Sequence, residues 1–209
     1  MILEMQMLEA VDLSCARGER QLFSGLNFSL RAGNALQAFG PNGCGKTSLL
    51  RIICGLLSPV GGEVRWDGTN IRRLGEEYCG VIAYVAHQTG VKDELNPLEN
   101  LRISSGVAGH VLSKPEAQVI LERIGLGRQQ HLPARLLSAG QRRRLALSRL
   151  LASRARLWIL DEPLASLDDA GVTLACNLID EHVSNGGMAI IATHQEMNLS
   201  AGQMQRIEL

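Results

Sequence analysis

The sequence predicts an α/β fold in which a buried parallel sheet is interrupted by a helical insertion. Three observations carry that expectation. Short, continuously apolar runs at Val81–Ala86, Leu157–Leu160 and Met188–Ala192 have the length and pattern of strands covered on both faces. Segments of helical character, Lys46–Leu56 and Asp169–Val183, alternate with the strands. The stretch from about Lys92 to Ser153 offers three further helices, Leu98–Ser104, Pro115–Ile124 and Gln141–Ala152. In such sheets ligands bind beyond the carboxyl ends of the strands.

The opening third reads as β-rich, with runs at Leu8–Cys15, Gln21–Leu30, Ala35–Phe39 and Glu63–Trp66 broken by glycine-bearing turns. The chain has 209 residues, 45% of them hydrophobic, enough for one domain with a proper core. The expected division is a core of about 1–88 and 154–209 with a helical part at about 89–153. Lys+Arg and Asp+Glu both total 21, so the formal charge is zero. That balance argues against a protein that coats nucleic acid or clings to an anionic membrane. No apolar run approaches the ~18 residues of a spanning helix. The segment Met1–Ala10 carries Glu4 and Glu9 and lacks the pattern of a signal peptide. Five scattered cysteines (Cys15, Cys44, Cys54, Cys79, Cys176), without a C-x-x-C, read as reduced thiols.

The strongest chemical signal is Gly40-Pro41-Asn42-Gly43-Cys44-Gly45-Lys46-Thr47, followed by Ser48, between an expected strand and an expected helix. The spacing is that of a P-loop. Its glycines let backbone N–H groups curl around phosphate oxygens, and the helix N-terminus adds a favourable field. Lys46 is placed to reach the β- and γ-phosphates of a nucleotide, and Thr47 Oγ1 to ligate Mg²⁺. Leu157-Trp158-Ile159-Leu160-Asp161-Glu162 is the second piece: a buried strand delivering two carboxylates at its end. Asp161 suits Mg²⁺, and Glu162 suits a general base for the attacking water. The alternative, weaker on its own and weaker still beside a P-loop, is that both acids merely cap the following turn.

Leu137-Ser138-Ala139-Gly140-Gln141 opens a helix about 20 residues before the acid pair and forms a second phosphate cradle. Because Lys46 serves the first cradle, the second is expected to meet a nucleotide held by another copy of the chain. This segment resembles the LSGGQ signature of ATP-binding-cassette (ABC) ATPases, with alanine at the third position. The resemblance spans Leu8 to His194 and implies an ABC ATPase domain: a P-loop NTPase with a RecA-like parallel core, an N-terminal antiparallel β subdomain and the helical insertion. It makes Gln88 the Q-loop glutamine that touches Mg²⁺ and the attacking water. Ser166-Leu167-Asp168 becomes the D-loop that crosses a dimer interface, and His194 the switch histidine that holds the γ-phosphate. Catalytic roles thus fall on Lys46, Gln88, Glu162 and His194, metal binding on Thr47, Gln88 and Asp161, and nucleotide contacts also on Ser138, Gly140, Gln141 and Asp168. ATP and Mg²⁺ are the implied cofactors.

The same resemblance implies a head-to-tail homodimer that serves integral membrane subunits without inserting into the membrane itself. Leu22-Phe23-Ser24-Gly25-Leu26, the Arg142–Arg144 run after the signature, Leu157–Pro163 and Thr193-His194-Gln195 are similar to the ATPases of bacterial cytochrome c maturation transporters. That class would add CcmB, CcmC and CcmD as partners at the cytoplasmic face of the inner membrane, with haem export or release of haem-loaded CcmE as the work done. A soluble ABC ATPase acting on nucleic acid would usually carry two cassettes or coiled-coil insertions. A metabolite kinase would lack the signature.

One departure falls in the first hairpin. Arg17 stands where such ATPases usually carry an aromatic that stacks on adenine. A guanidinium plane can lie over the base, or Arg17 is simply solvated. Cys44 lies beside P-loop amides that favour a thiolate, so alkylation is expected to inactivate and ATP to protect; its natural role is equally that of a small residue filling a space that alanine or serine could fill. The Arg142–Arg144 run, with no aromatic interleaving, reads as a solvated helix face with salt bridges. Leu98 and Leu101 read as core, while Val91 and Leu95 suit either core or a groove for a partner's helix.

Overall fold

The computed structural model describes residues 6–194, 197, 199 and 202–209; the first five residues and Gln195 lie outside the described set. The described chain forms two compact units: Met1–Tyr84 with Arg156–Glu162 and Ile179–Leu209, and Val85–Ala155 with Pro163–Leu178.

The first unit opens with an antiparallel hairpin, β1 (Met7–Arg17) and β2 (Arg20–Arg31). β4 (Gly61–Trp66) adds to the other side of β1, and the two-residue β5 (Thr69–Asn70) extends the sheet to the order β2-β1-β4-β5. Alternation along β1 buries Leu8, Ala10, Leu13 and Cys15 on one face. Irregular register between Ala10 and Ala16 bends the ribbon. The unit also holds α1 (Lys46–Ile53), which packs on β7 and β8, and two short helices, α2 (Ile71–Leu74) and α3 (Glu76–Val81).

The second sheet has the order β6-β7-β8-β3-β9. β3 (Ala35–Phe39), β7 (Leu157–Asp161), β8 (Met188–Ala192) and β9 (Met204–Glu208) run parallel, with β6 (Ile82–Val85) at the edge beside β7. Every residue of β7 and β8 is buried. Leu36, Leu49, Leu50, Ile53, Ile159 and Ile190 form the centre of the core. Each such side chain contributes roughly 1.5–3 kcal/mol by leaving water, which fixes β3, β7 and β8 in register.

The strand β9 was not expected. Met204-Gln205-Arg206-Ile207-Glu208 alternates weakly and lacks the apolar run of a central strand. Its place comes from backbone pairing with β3 and from Ile207, which packs against the core, and it lies at a sheet edge where polar side chains are tolerated.

The second unit contains α4 (Pro97–Val107), α5 (Lys114–Arg123), α6 (Ala139–Ala152) and the first part of α7 (Asp169–Ser184). Capping boxes start α4, α5 and α6, built on Asn96/Glu99, Ser113/Glu116 and Ser138/Gln141. Leu98, Leu101, Leu121, Ile124, Leu145 and Leu147 are buried here, as expected for Leu98 and Leu101, whereas Val91 and Leu95 are half-buried.

Candidate functional site: a P-loop, an acidic strand end and a signature helix

In the first unit, adjacent parallel strands deliver the chemistry at their carboxyl ends. β3 runs into the glycine-rich loop, β7 ends at Asp161 with Glu162 following, and β8 leads to Thr193 and His194. Gly40, Gly43 and Gly45 all have positive φ, at 153°, 81° and 120°. At Gly40 an added Cβ would lie 2.8 Å from both Cys44 Sγ and Leu209 O, so the loop has no room for a side chain there. Gly45 is the N-cap of α1, and no side chain caps that helix. Its first N–H groups are therefore available to a phosphate. This contrasts with the capping boxes of α4, α5 and α6.

Lys46 is only 7% exposed, and its ammonium donates to Gly40 O at 2.6 Å and Pro41 O at 3.2 Å. The loop thus folds around the lysine, which can exchange these carbonyls for phosphate oxygens. Thr47 Oγ1 donates to Asp161 Oδ2 at 2.9 Å, with Oδ1 at 3.2 Å. A hydroxyl and a carboxylate from positions 114 apart in sequence meet here. Oxygen donors of this kind fit a hard divalent cation such as Mg²⁺.

Glu162 has φ 49°, an unusual conformation for a residue with a side chain. Its N–H donates to Ala192 O at 2.8 Å, pinning the strained residue to the end of β8. Strain of this sort costs ~1–3 kcal/mol and persists only where neighbours enforce it. The turn brings Glu162 Oε2 to 3.1 Å from His194 Nδ1, with the carboxylate side chain 15% exposed and the imidazole 60%. The sequence-predicted Lys46, Thr47, Asp161, Glu162 and His194 all lie in this unit.

Arg17 sits at the end of β1, opposite Arg20 across the Gly18–Glu19 turn, and is exposed. Cys44 is half-buried within the loop, Cys15 and Cys54 are buried, Cys176 is half-buried and Cys79 exposed; all five are free thiols. Burial, reinforced by the nearby Cys79 and Asp161, pushes the Cys54 thiol up to about 12. A thiol that remains protonated at neutral pH is inert to alkylation.

In the second unit, Ser138 is the N-cap of α6: its Oγ accepts from Gln141 N at 3.1 Å, and Gln141 Oε1 accepts from Ser138 N at 2.9 Å. Capping uses a lone pair and leaves the Ser138 O–H available as a donor. Ala139 is exposed, which explains why alanine is tolerated where a glycine was expected. Gly140 has a stricter reason to be glycine: a Cβ there would lie 2.8 Å from Ser166 O. Ser166 itself has φ 65°, and Asp168 Oδ1 caps α7 by accepting from Gly171 N at 2.9 Å.

Gln88 has an exposed side chain, but its flanking backbone is held by groups the sequence reading missed. The expectation of a solvated face for Arg142–Arg144 is corrected: Arg143 is 2% exposed. It donates to Ala86 O at 2.9 Å, His87 O at 3.3 Å and Pro163 O at 3.2 Å. Arg149 donates to Thr89 O at 3.0 Å and Gly90 O at 2.8 Å. Arg142 pairs with Asp93, and Asn100 binds both the N–H and the C=O of Lys92. Periodicity could have flagged Arg143, because Ala146, Leu147 and Leu150, at i+3, i+4 and i+7, are all buried. A run of three arginines disguised it.

The ABC transporter family model matches residues 23–165, which hold the P-loop, the signature and the acid pair in order. The chain belongs to the ABC transporter family. It is an ATP-binding, ATP-hydrolysing subunit of the ABC type. The chain is 52% identical over 205 residues to the cytochrome c biogenesis ATP-binding export protein CcmA of Nitrosospira multiformis, covering 98% of this chain and 100% of that protein. It is 49% identical over 204 residues to the protein of the same name from Nitrosomonas europaea, covering 98% and 96%. The solved structure of an ABC transporter ATP-binding protein from Pyrococcus furiosus superposes with a TM-score of 0.83 at 25% identity, over 96% of each chain. The α/β architecture, with a parallel core sheet and an antiparallel N-terminal sheet, is thus that of an ABC ATPase.

Proposed function

We propose that the chain is the ATPase subunit of a cytochrome c biogenesis export complex. The observation that carries its chemistry is the gathering of Thr47, Asp161, Glu162 and His194 around the carboxyl ends of neighbouring parallel strands. The transport class rests on its similarity, over nearly the whole chain, to proteins named for cytochrome c biogenesis export.

In this reading the loop from Gly40 to Ser48 wraps the phosphates of ATP and Lys46 neutralises the β/γ end. Thr47 and Asp161, with Gln88, would hold Mg²⁺, which would supply neutralisation of the charge that develops in phosphoryl transfer. Glu162 takes a proton from water as the water oxygen bonds to the γ-phosphorus and the bond to the bridging oxygen breaks, giving ADP and phosphate. His194, fixed through Nδ1 beside Glu162, has Nε2 left to face the γ-phosphate. Ser138 and Gly140 of one copy meet the γ-phosphate bound by a second, Gln141 holds that cradle's shape, and Asp168 lies at the crossing. Arg17 takes the face of the adenine. Each ATP then favours the closed two-fold pair, and hydrolysis removes the group that held it. The partners are CcmB, CcmC and CcmD at the cytoplasmic face of the inner membrane, with haem-loaded CcmE released by the cycle. Among the described residues no helix is long and apolar enough to cross a membrane.

The test is light scattering with Mg²⁺-ATP on wild-type protein and Glu162→Gln, alone and co-expressed with CcmB and CcmC. Glutamine keeps the shape of the side chain but accepts no proton, so ATPase activity should fall by ~10²–10⁴-fold. The expected outcome is an ATP-dependent dimer that is long-lived only in the variant. A variant that binds ATP yet stays unpaired in both preparations overturns the shared-site reading.

A further inference from the structure

The Q-loop is not an independent loop: α6 grips its backbone on both sides of Gln88. Arg143, on the second turn of α6, takes the carbonyls of Ala86 and His87, immediately before Gln88. Arg149, further along the same helix, takes the carbonyls of Thr89 and Gly90, immediately after it. The partners are 56–60 positions apart in sequence, so only tertiary structure brings them together. Arg149 spans adjacent carbonyls with Nη1 and Nη2, while Arg143 reaches Ala86 and His87 from Nη1 and Pro163 from Nε; a fork of fixed donors can do this and a lysine ammonium does it less well. Arg143 also takes the carbonyl of Pro163, the residue after Glu162. At Gly90, whose φ is 60°, a Cβ would lie 3.3 Å from Arg149 Nη1, so chain and guanidinium fit closely.

These bonds leave the Gln88 side chain exposed while fixing the peptides that aim it. They also place the grip on the helix whose N-terminus is Ser138-Ala139-Gly140. We propose that Arg143 and Arg149 are positioning residues that splint the Q-loop to the signature helix, so that α6 and Gln88 move as one body. Engagement of Ser138 and Gly140 by a nucleotide then sets the position of Gln88 through a path of one helix and two guanidinia. The idea rests on the proposed roles of Gln88 and the signature. It adds that α6, through its arginines, is what connects them. Neither arginine touches ATP in this account, so their loss should slow turnover without weakening the P-loop's hold on the nucleotide.

The experiment is a double-mutant cycle on ATPase activity, in the complex co-expressed with CcmB and CcmC. Arg149→Met, Arg143→Lys and Gln88→Ala are made singly, and each arginine variant is also combined with Gln88→Ala. Arg149 is only half-buried and Arg143→Lys keeps a cation, so at least one arginine variant should fold. The splint predicts a fall in kcat of about tenfold or more for each arginine variant, with KM for ATP within about twofold. In the Gln88→Ala background the same substitutions should change kcat less than about twofold, because the group they aim is already gone. A merely structural role would lower activity by the same factor in both backgrounds, and that result overturns the splint. So does wild-type kcat in both arginine variants while Gln88→Ala is impaired. If Gln88→Ala itself turns over ATP at the wild-type rate, the role assigned to Gln88 fails first, and the inference falls with it.

Discussion

The two units hold their functional groups by different means. In the first, local backbone conformation does much of the positioning. Gly40, Gly43 and Gly45 bend the loop, Lys46 follows within one residue, and a strained turn at Glu162 presents the carboxylate directly after β7. In the second, Gln88 sits in a segment whose backbone carbonyls are taken by distant side chains. Its peptides are held by side chains from a helix more than 50 residues away. Where backbone conformation does the positioning, a motif is short and visible. Where long side chains do it, the residues that matter are scattered and look like ordinary surface charges.

Gly140 offers the largest break in that contrast, since it is the place where the second unit also depends on backbone closeness. Gly140→Ala puts a Cβ 2.8 Å from Ser166 O, and the Ser166 peptide must move. ATPase activity should fall by about tenfold or more, whereas Ala139→Gly, at an exposed position, should stay within about twofold and cost less than ~1 kcal/mol of stability. Steady-state kinetics and thermal melts on the pair decide it. Equal activities would mean that Gly140 is not set by its contact with Ser166.

A smaller effect sits in the first unit, at His182. Its ring stacks on Trp158 with centroids 3.9 Å apart, and Nε2 lies 3.2 Å from both Arg156 O and Met188 O. Two carbonyl acceptors require Nε2 to carry the hydrogen. Burial lowers the His182 pKa below the ordinary imidazole value, a loss only partly offset by those carbonyls. The unfolded chain therefore takes up the proton first. Stability from this group is fully present above the unfolded value of ~6.5 and is lost as pH falls through it towards the lower folded value. Between pH 7.5 and 5, Tm of the wild type should fall a few degrees further than Tm of His182→Gln. Parallel curves would show that the stacked histidine carries no proton linkage.

The smallest expected effect is at Arg142, one residue from the buried Arg143. Its pair with Asp93 is partly exposed, with side chains 28% and 50% accessible. Arg142→Ala should cost less than about 1 kcal/mol, and less still in high salt. Urea melts at two ionic strengths would check this, and a cost several times larger would place Arg142 with Arg143 in the clamp.

Much of the chemistry was legible because consecutive residues encode it. Gly40–Thr47 must form a tight, glycine-bent loop once a strand precedes it and a helix follows. Leu157–Leu160 must be buried, which places Asp161 and Glu162 at a strand end. The apolar runs determined β7 and β8, and Ser138 with Gln141 three residues later determined the cap of α6. Tertiary structure alone decided three other things. It paired the weakly patterned Met204–Glu208 with β3, because backbone hydrogen bonds, with Ile207 packed against the core, recruit an edge strand that lacks an apolar run. It brought His194 to Glu162 and Thr47 to Asp161, because the order of strands in the sheet, not their order in the chain, sets those distances. And it gave Arg143, which the period of α6 already puts on the buried face, its carbonyl partners, while Arg142 kept a partly exposed ion pair, because those carbonyls belong to another segment of the chain.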